Sequence, residues 1–397
     1  MNGFEILKER GFIAQMTHEA ETSELFAKEK VVFYCGYDPT ADSLHIGHYL
    51  TFMALAWLQR CGHVPIVVLG GGTGMVGDPD KANEMRPMMG VDEIDRNVAQ
   101  FKQQAEKYID FSDGKGILVN NADWLRHLNY AEFIRDIGVH FSVNRMLSAD
   151  KYKTKFEGEG LNFLELNYMV MQAYDFLELN RRYGCTVQIG GNDQWSNIIA
   201  GVELIRRVDQ KQAFGMTFTL LENSDGSKMG KTMGGAIWID EAKTSPHEFY
   251  QYFRDIDDES VKKTMCLLTF LPMEQIEKLC AAEGAAMNHA KEVLAFEITK
   301  IVHGEEEARK AAGSREQEVA LEMAVFGDGM NILDLLVETK LVPSKSEARR
   351  NVQQGGIVVG GIKIADPAHI VAMADFVDGG IVVQKGKKTI IRVVIKG

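Results

Sequence analysis

Two short motifs carry side chains suited to phosphate chemistry. The first is HIGH at residues 45–48, where His45 and His48 flank a glycine at the predicted start of a helix, and the second is KMGKT at residues 228–232, with Lys228 and Lys231. Transfer at phosphorus needs hydrogen-bond donors and cations around the triphosphate and little covalent participation by the protein. Together the motifs predict attack of an amino acid's carboxylate on the α-phosphate of ATP.

The position of the histidine pair supports this prediction. HIGH follows the first predicted buried strand, and Asp42 or Ser43 is placed to cap the helix that begins near His45. Backbone N–H groups and the helix dipole favour phosphate at such a start, and Gly47 lets a nucleotide approach the backbone closely. The alternative is a pair of structural histidines. No third His, Cys or carboxylate stands nearby at metal-ligand spacing, so the sequence predicts no metal site.

The lysine motif is informative mainly because it occurs together with HIGH. By itself, a segment rich in small and polar residues is typical of a solvated surface loop. With HIGH present, it predicts a mobile loop whose two cations close over the leaving pyrophosphate and stabilise charge in the transition state.

The elements around these motifs predict an α/β fold. Apolar, β-rich runs at residues 30–36, 64–69, 116–120 and 186–189 are predicted to be strands of one parallel sheet, with the helix after HIGH as a right-handed crossover. A ligand is expected at the carboxyl ends of such strands. The pattern becomes helical and free of strands from residue 245 to about 324. We therefore predict three domains, at residues 1–244, 245–325 and 326–397.

A glycine-rich segment offers a competing hypothesis. GTGMVG at residues 72–77 matches GxGxxG after a strand, and Asp92 or Asp95 lies about 20 residues further on, as in a dinucleotide site. However, Asp78-Pro79 follows where a long helix should start, and the match comes after the second strand rather than the first. A turn that needs small residues is the favoured interpretation.

Composition limits the class of protein. The chain has 397 residues, 45% hydrophobic and 25% charged, with no basic-then-apolar N-terminal segment and no apolar run near 18 residues, so we expect a cytoplasmic protein without a membrane anchor. Its five cysteines are scattered with no CxxC pair, which argues against a disulfide framework or a structural zinc. Residues 331–397 carry ten Lys/Arg and six Asp/Glu, +4 of a total of -12. This tail could bind nucleic acid or be merely a solvated surface.

Three longer blocks carry a resemblance to a known family. They are YCGYDPTADSLHIGH at residues 34–48, YMVMQAYD at 168–175 and QIGGNDQW at 188–195. On these blocks the chain resembles the bacterial tyrosyl-tRNA synthetases, which are class I aminoacyl-tRNA synthetases, over essentially its whole length. The resemblance implies a Rossmann-like catalytic domain, a helical domain and a small α+β S4-type RNA-binding domain. It also implies an ATP-dependent tyrosine–tRNA ligase that uses Mg²⁺ with ATP, takes L-tyrosine and tRNA(Tyr), and works as a homodimer.

The resemblance assigns roles to individual residues. The tyrosine-binding residues would be Tyr34 and Asp175 at the phenolic hydroxyl, and Asp78, Tyr168 and Gln172 at the ammonium group. The residues lining ATP and the adenylate would be Gly36, Asp38, Gly47, Gly191, Asp193 and Gln194. The catalytic residues at the phosphates would be Thr40, His45, His48, Lys228 and Lys231. Lys81 and Arg86 could add phosphate contacts.

The tyrosine pocket makes physical sense residue by residue. A pocket that prefers tyrosine to phenylalanine needs polar partners for one hydroxyl, and these partners are left unpaired when phenylalanine enters. Tyr168, Gln172 and Asp175 are spaced by four and three, which places them on one helix face. An amphipathic surface helix is the alternative.

The lysine motif departs from the family's KMSKS, because Gly230 and Thr232 replace the two serines.

The tail resembles an S4-type domain. Ser344 and Glu347 are predicted to form a capping box, and the helix that follows carries Lys345, Arg349 and Arg350, which would grip the tRNA backbone. Two other functions remain possible at this point. A tryptophan-specific relative would share the fold and both motifs, although Tyr34 with Asp175 suits a phenol better. A purely RNA-binding descendant would keep the tail and lose HIGH and the lysines, which are intact here.

Overall fold

The chain forms two compact units, residues 1–304 and 305–397. The computed structural model describes residues 2–79, 89–158, 160–222, 229–232, 235–281, 284, 287–313, 317–327, 329–376, 380–386 and 389–396. Lys81, Arg86 and Lys228, which the sequence singled out, lie outside these ranges. None of the described helices is long and apolar enough to cross a membrane.

A six-stranded sheet forms the centre of the first unit. Its strand order is β1-β6-β5-β2-β3-β4, with β2 to β6 parallel and β1 antiparallel at the edge. The strands are β1 Ile13–Met16, β2 Val32–Tyr37, β3 Val64–Leu69, β4 Ile117–Asn120, β5 Val187–Gly191 and β6 Phe214–Phe218. The four predicted strands and their parallel arrangement are confirmed. The strands β1 and β6 escaped prediction because IAQM and FGMTF contain one β-branched residue each, whereas each predicted run contains at least two.

Helices cover the sheet and extend the first unit. They are α1 Gly3–Glu9, α2 Glu19–Lys28, α3 Ile46–Arg60, α4 Val91–Ala105, α5 Ala122–Leu125, α6 Tyr130–Asp136, α7 Val143–Leu147, α8 Asp150–Glu157, α9 Phe163–Tyr183, α10 Trp195–Val208, α11 Pro246–Arg254, α12 Asp258–Leu268, α13 Met273–Cys280 and α14 Met287–His303. Two short strands, β7 Lys231–Thr232 and β8 Gly235–Ala236, pair with each other. Helix α3, apolar on almost every face, crosses from β2 to β3 as predicted.

The start of α3 differs from the prediction. The N-cap is His45 itself, whose Nδ1 accepts a hydrogen bond from the Gly47 N–H, and not Asp42 or Ser43. Asp42 instead forms an ion pair with Lys243, and the Ser43 hydroxyl donates to the Leu44 carbonyl. These two residues therefore fix the loop that leads to HIGH, while the histidine takes the capping position.

A buried arginine ties the N-terminal helix to the helical region. The Arg10 guanidinium donates to the carbonyl oxygens of Cys266 (2.9 Å), Thr269 (3.2 Å) and Leu271, at the end of α12. The last carbonyls of a helix lack partners within the helix and carry partial negative charge, so a cation there stabilises the helix end. Helices α11 to α14 thus belong to the same compact unit as the sheet. The predicted division at residue 244 stays a prediction, because compactness does not test whether a segment folds alone.

The second unit is a small α+β body. It contains α15 Glu305–Gly313, β9 Gln317–Glu322, α16 Met323–Phe326, β10 Gly329–Asn331, α17 Ile332–Glu338, α18 Lys345–Gln353, β11 Ile357–Val359, β12 Ile362–Ile364, β13 Ile370–Ala372, β14 Gly380–Lys385 and β15 Thr389–Lys396. Five strands form a sheet in the order β12-β11-β14-β15-β9, and an apolar core joins it to α17 and α18. The prediction of a strand-free segment up to residue 324 was wrong, because β9 pairs in parallel with β15. The boundary predicted at residue 326 stays a prediction.

Candidate active site

Buried side chains of β2 and α9 pack together in the core of the first unit. Tyr34 on β2 is 1% exposed, and its hydroxyl has no hydrogen-bond partner among the described residues. Its ring lies 5.3 Å from that of Phe176, centroid to centroid. Burial, and then the nearby Asp175 carboxylate, raise the pKa of Tyr34 well above its ordinary value. The phenolic hydroxyl is therefore a neutral group that can both donate and accept a hydrogen bond.

Asp175 is held in one orientation by two donors. Its Oδ2 accepts from Asn121 Nδ2 at 2.9 Å and its Oδ1 from Trp124 Nε1 at 2.7 Å. Burial raises its pKa to about 7, although these two hydrogen bonds act in the opposite direction. Sequence reasoning missed Asn121 and Trp124. The signal that could have found them is their position directly after β4, at the ligand-binding edge of a parallel sheet.

Helix α9 carries the three candidates that the sequence placed on one face. The hydroxyl of Tyr168 donates to Asp38 Oδ2 at 2.7 Å, and Asp38 Oδ1 accepts from the Thr73 hydroxyl at 2.6 Å. Gln172 Oε1 accepts from Asn197 Nδ2 at 2.9 Å. The structure thus brings Tyr168 to the residue at the end of β2, and Gln172 to the start of α10.

Asp78 lies at the centre of a second polar group. Its Oδ2 accepts from Gln194 Nε2 at 2.7 Å and its Oδ1 from Asn197 Nδ2 at 3.4 Å, and it forms an ion pair with Lys151. Gln194 Nε2 also donates to Asp193 Oδ2 at 3.0 Å. Gly77 before it has φ +78, and the 72–77 segment makes one 3-10 turn rather than opening a helix, as the turn interpretation predicted.

Two motif glycines differ in what the fold requires of them. A Cβ at Gly36 would meet nothing within 4 Å among the described residues, whereas one at Gly191 would lie 2.6 Å from Asp193 Oδ1. The contact at 191 is with the end of an exposed side chain, which can move, and packing does not require the glycine at 36. An exposed glycine at the end of β2 that packing does not require is consistent with the close approach of a ligand to the backbone.

The two histidines of HIGH stack on each other. Their ring centroids are 3.8 Å apart, and the His45 N–H donates to His48 Nδ1 at 3.2 Å. Because Nδ1 of His45 accepts from Gly47 N–H and Nδ1 of His48 accepts from His45 N–H, both ring protons lie on Nε2. Burial lowers the pKa of His48 well below its ordinary value, and His45 lowers it further. The pair thus offers neutral N–H donors rather than two charges.

The contact also explains Gly47. A Cβ at this position would lie 2.9 Å from Cε1 of His45, so a side chain here would disturb the capping ring. Thr40 lies exposed in the loop before the motif, where its N–H donates to the Asp38 carbonyl at 2.8 Å. The prediction that Gly47 serves close nucleotide approach remains; the structure adds a packing reason.

The segment after the lysine motif runs alongside HIGH. The Ile46 N–H donates to the Ile237 carbonyl (3.0 Å), and the Ile237 N–H donates to the Gly230 carbonyl (2.8 Å). The Trp238 ring stands edge-on to the His45 ring, 6.2 Å between centroids. The backbone of Lys231 lies in β7, so the fold brings the described part of the second motif to the start of α3.

The tail residues lie on one short helix of the second unit. Lys345, Arg349 and Arg350 on α18 are all exposed, and Lys345 forms an ion pair with Asp334. The Ser344 hydroxyl caps α18 by accepting from the Glu347 N–H at 3.3 Å. The Glu347 carboxylate lies 3.4 Å from the Lys385 ammonium, so its partner differs from the backbone N–H that a capping box predicts.

No group of three or more His, Cys, Asp or Glu side chains that could hold a metal ion occurs among the residues whose positions are described. The free cysteines are Cys35, Cys61, Cys185, Cys266 and Cys280.

Comparison with known proteins identifies the family. The family model described as tRNA synthetases class I (W and Y) matches residues 27–318, and the tyrosine–tRNA ligase SYY-like C-terminal domain matches residues 317–393. The chain is 55% identical to a tyrosine–tRNA ligase of Caldanaerobacter subterraneus and 53% identical to one of Clostridium beijerinckii, each match covering 100% of both chains. This chain belongs to the tyrosine–tRNA ligase family.

Solved structures agree with this membership. A truncated mitochondrial tyrosyl-tRNA synthetase of Aspergillus nidulans matches with a TM-score of 0.71 at 31% identity, over 78% of this chain and 92% of that one. The predicted resemblance, the class I synthetase fold with an α+β tail, and the enzyme class are thereby confirmed. Identity over the full length to tyrosine–tRNA ligases argues against the tryptophan-specific alternative.

Proposed function

We propose that the chain joins L-tyrosine to ATP as tyrosyl-adenylate and then transfers the tyrosyl group to the 3′ end of tRNA(Tyr), releasing diphosphate and AMP. The observation that carries the amino-acid specificity is the buried pair of Tyr34 and Asp175. The hydroxyl of Tyr34 has no partner among the described side chains, and Asp175 is oriented by Asn121 and Trp124. A phenol satisfies both groups, whereas phenylalanine leaves them unpaired.

The ammonium group of tyrosine is assigned to the second polar group. Asp78 offers a carboxylate, Gln172 an amide oxygen and Tyr168 a hydroxyl, which together match a cation with three donors. Asn197 donates to both Asp78 and Gln172 and so links two of these three groups, which supports this assignment. With the phenol and ammonium ends held, the tyrosine carboxylate would face the loop from Gly36 to Thr40.

The phosphates are assigned to the start of α3. The Nε2–H donors of His45 and His48 would bind oxygens on which negative charge develops, and the helix start favours the same charge. Lys228 and Lys231 would hold the leaving diphosphate. ATP is the nucleotide substrate, and Mg²⁺ would accompany it and neutralise part of the phosphate charge. No side chain forms a covalent bond to substrate in this scheme.

In the first step, an oxygen of the tyrosine carboxylate bonds to the α-phosphorus and the bond to the diphosphate breaks. In the second, a terminal ribose hydroxyl of tRNA attacks the tyrosyl carbonyl, AMP leaves, and the hydroxyl proton passes to solvent or phosphate. Lys345, Arg349 and Arg350 are proposed to contact the tRNA backbone, which accords with their exposure on α18. We infer a cytoplasmic location because the tRNA substrate is found there.

We also propose a homodimer. Large apolar side chains are exposed along one stretch of the first unit, and these are Tyr130, Ile134, Val139, Val143, Phe156 and Phe163. An open groove between α7 and α10 adjoins them and is lined by Met146, Ile199 and Leu204 among others. Contiguous exposed apolar surface is typical of an interface. Sedimentation equilibrium tests this proposal, and a monomer at micromolar concentration would contradict it.

The activation step is tested by exchange of labelled diphosphate into ATP, with tyrosine, phenylalanine or tryptophan as the sole amino acid. Exchange with tyrosine alone is expected. Lys231→Ala should depress adenylate formation and leave tyrosine binding nearly unchanged, since the lysine is assigned to the diphosphate. Lys262→Ala, on the exposed side of α12, is the matched control. An unchanged exchange rate in Lys231→Ala would contradict the role of this lysine.

A further inference from the structure

A buried lysine lies inside the candidate tyrosine-binding site. Lys151, at the start of α8, has a side chain that is only 10% exposed, and its ammonium pairs with the Asp78 carboxylate, itself 15% exposed. Lysine is almost never buried to this extent unless it is paired. The ion pair between Lys151 and Asp78 therefore contributes either to the stability of the fold or to ligand binding in the site.

The surroundings of Asp78 favour the site. Besides Lys151, this carboxylate accepts hydrogen bonds from Gln194 and Asn197, and Asn197 also donates to Gln172 Oε1. The Tyr152 hydroxyl, next to Lys151 in sequence, donates to Asn197 Oδ1 at 3.0 Å. Lys151 thus presents a primary ammonium group to the same acceptor that is assigned to the ammonium group of tyrosine.

Another buried ion pair on α8 provides a structural contrast. Lys155 pairs with Glu165, with the two side chains 11% and 7% exposed. Glu165 also forms the capping box at the start of α9 with Asn162, so this pair joins two helices. Asp78 caps none of the helices that the structure describes. Its other hydrogen bonds within the described ranges come from Gln194 and Asn197, which belong to the polar group of the site.

We propose that Lys151 is a tethered competitor for the ammonium subsite: its ε-ammonium pairs with Asp78 until the α-ammonium of tyrosine displaces it. This inference rests on the proposed assignment of Asp78. Two ammonium groups on one carboxylate repel each other at contact distance, and the repulsion is strong where the side chains are as buried as these. The long side chain of Lys151 allows its ammonium to withdraw into water while the methylene groups stay packed.

The competition has two opposite consequences for binding. A ligand with an ammonium group must break the Lys151–Asp78 pair. Its affinity is therefore lower than it would be if Asp78 had no competing cation. A ligand without an ammonium group binds beside the intact pair and avoids an uncompensated charge. Lys151 therefore keeps Asp78 paired in the absence of substrate and sets the affinity for tyrosine.

The test compares three ligands by titration calorimetry on the full chain: tyrosine, tyramine and 3-(4-hydroxyphenyl)propanoate. In Lys151→Met, the Kd of tyrosine and of tyramine should fall about tenfold, equivalent to about 1.4 kcal/mol. The Kd of the propanoate, which lacks the ammonium group, should stay the same or rise. Lys153→Met is the matched control, because Lys153 lies on the same helix with its side chain 57% exposed, and it should change none of the three.

Three results would overturn the proposal. The first is a Kd of tyramine that stays unchanged or rises in Lys151→Met. The second is a rise in the Kd of tyrosine alone, which would assign Lys151 to the substrate carboxylate. The third is an equal change in the Kd of all three ligands. Lys151→Gln, which keeps a polar head without the charge, repeats the test if the methionine variant does not fold. Asp78→Asn distinguishes the proposed assignment of Asp78 from the proposed role of Lys151. Unchanged tyramine binding in Asp78→Asn refutes the assignment of Asp78 itself, whereas weakened binding there with no effect of Lys151→Met refutes the competition alone.

Discussion

Replacement of Gly230 by alanine should uncouple the lysine motif from HIGH. Gly230 has φ +87, a conformation that favours glycine, and a Cβ built on it would lie 2.2 Å from the Cγ2 methyl of Ile46. Its N–H donates to the Tyr252 hydroxyl at 2.6 Å, and its carbonyl accepts from Ile237 N–H. The glycine therefore permits direct contact between the residue before Lys231 and the second residue of HIGH.

Two costs add at this position. A non-glycine residue in the left-handed region costs roughly 1–2 kcal/mol, and forcing a methyl group into a closed contact costs roughly 1–3 kcal/mol. The sum is about 2–5 kcal/mol, which the segment can avoid by leaving its packed position. If adenylate formation needs the packed arrangement, a loss of about 2 kcal/mol lowers the rate about 30-fold, and the larger value lowers it more.

The assay is single-turnover formation of tyrosyl-adenylate, with tyrosine binding measured alongside. Gly230→Ala should lower the rate at least about 30-fold and leave the Kd of tyrosine unchanged, because Tyr34 and Asp175 lie on other elements. Gly184→Ala controls for the backbone term, since Gly184 has φ +66 and its Cβ would meet nothing within 4 Å. The effect of Gly230→Ala should also be smaller in an Ile46→Ala background, where the obstructing methyl is absent. A wild-type rate in Gly230→Ala would refute the reasoning.

Two further results are expected. Asp175 has a pKa of about 7 in the folded protein against about 4 for an ordinary carboxyl group, so it binds a proton more tightly when folded. Its contribution to the free energy of unfolding is present below about pH 4 and is lost as the pH rises to about 7, a loss of about 4 kcal/mol at most. Asp175→Asn should remove this pH dependence. Urea unfolding of both proteins at pH 5 and pH 8 measures it. Arg349→Ala with Arg350→Ala should weaken tRNA binding, reduce the slope of log K against log salt by about 2, and leave diphosphate exchange unchanged; filter binding at several salt concentrations tests this, and an unchanged slope would exclude phosphate contacts.

Local patterns in the sequence were enough to predict the framework of the site. The run at residues 64–69 became β3 with the same bounds, and the four-and-three spacing of Tyr168, Gln172 and Asp175 placed them in one helix, α9. These predictions succeeded because hydrophobic periodicity and helix geometry act over a few residues. Parallel pairing then brings the strand ends together without any further information.

The partners of these residues could not be predicted in the same way. Trp124 donates to Asp175 from 51 residues away, and Lys151 pairs with Asp78 across 73 residues. Nothing in the local pattern of either residue marks it, because each contact depends on how elements far apart in the sequence pack together. The capping by His45 was missed for a related reason: histidine is an uncommon cap, and here its ring is held over Gly47 by the stacked His48.

The joining of the two motifs depends more on the backbone than on side chains. Ile46 bonds to Ile237, Ile237 to Gly230, and Ile239 to the Leu44 carbonyl, all through main-chain groups. Such bonds do not require a particular side chain, so glycine and threonine can stand where the family has serines without breaking the connection. What the change alters is local: glycine at 230 admits the Ile46 methyl, and a serine there would meet the same obstruction that alanine does. The departure from KMSKS therefore leaves the main-chain connection between the two motifs intact.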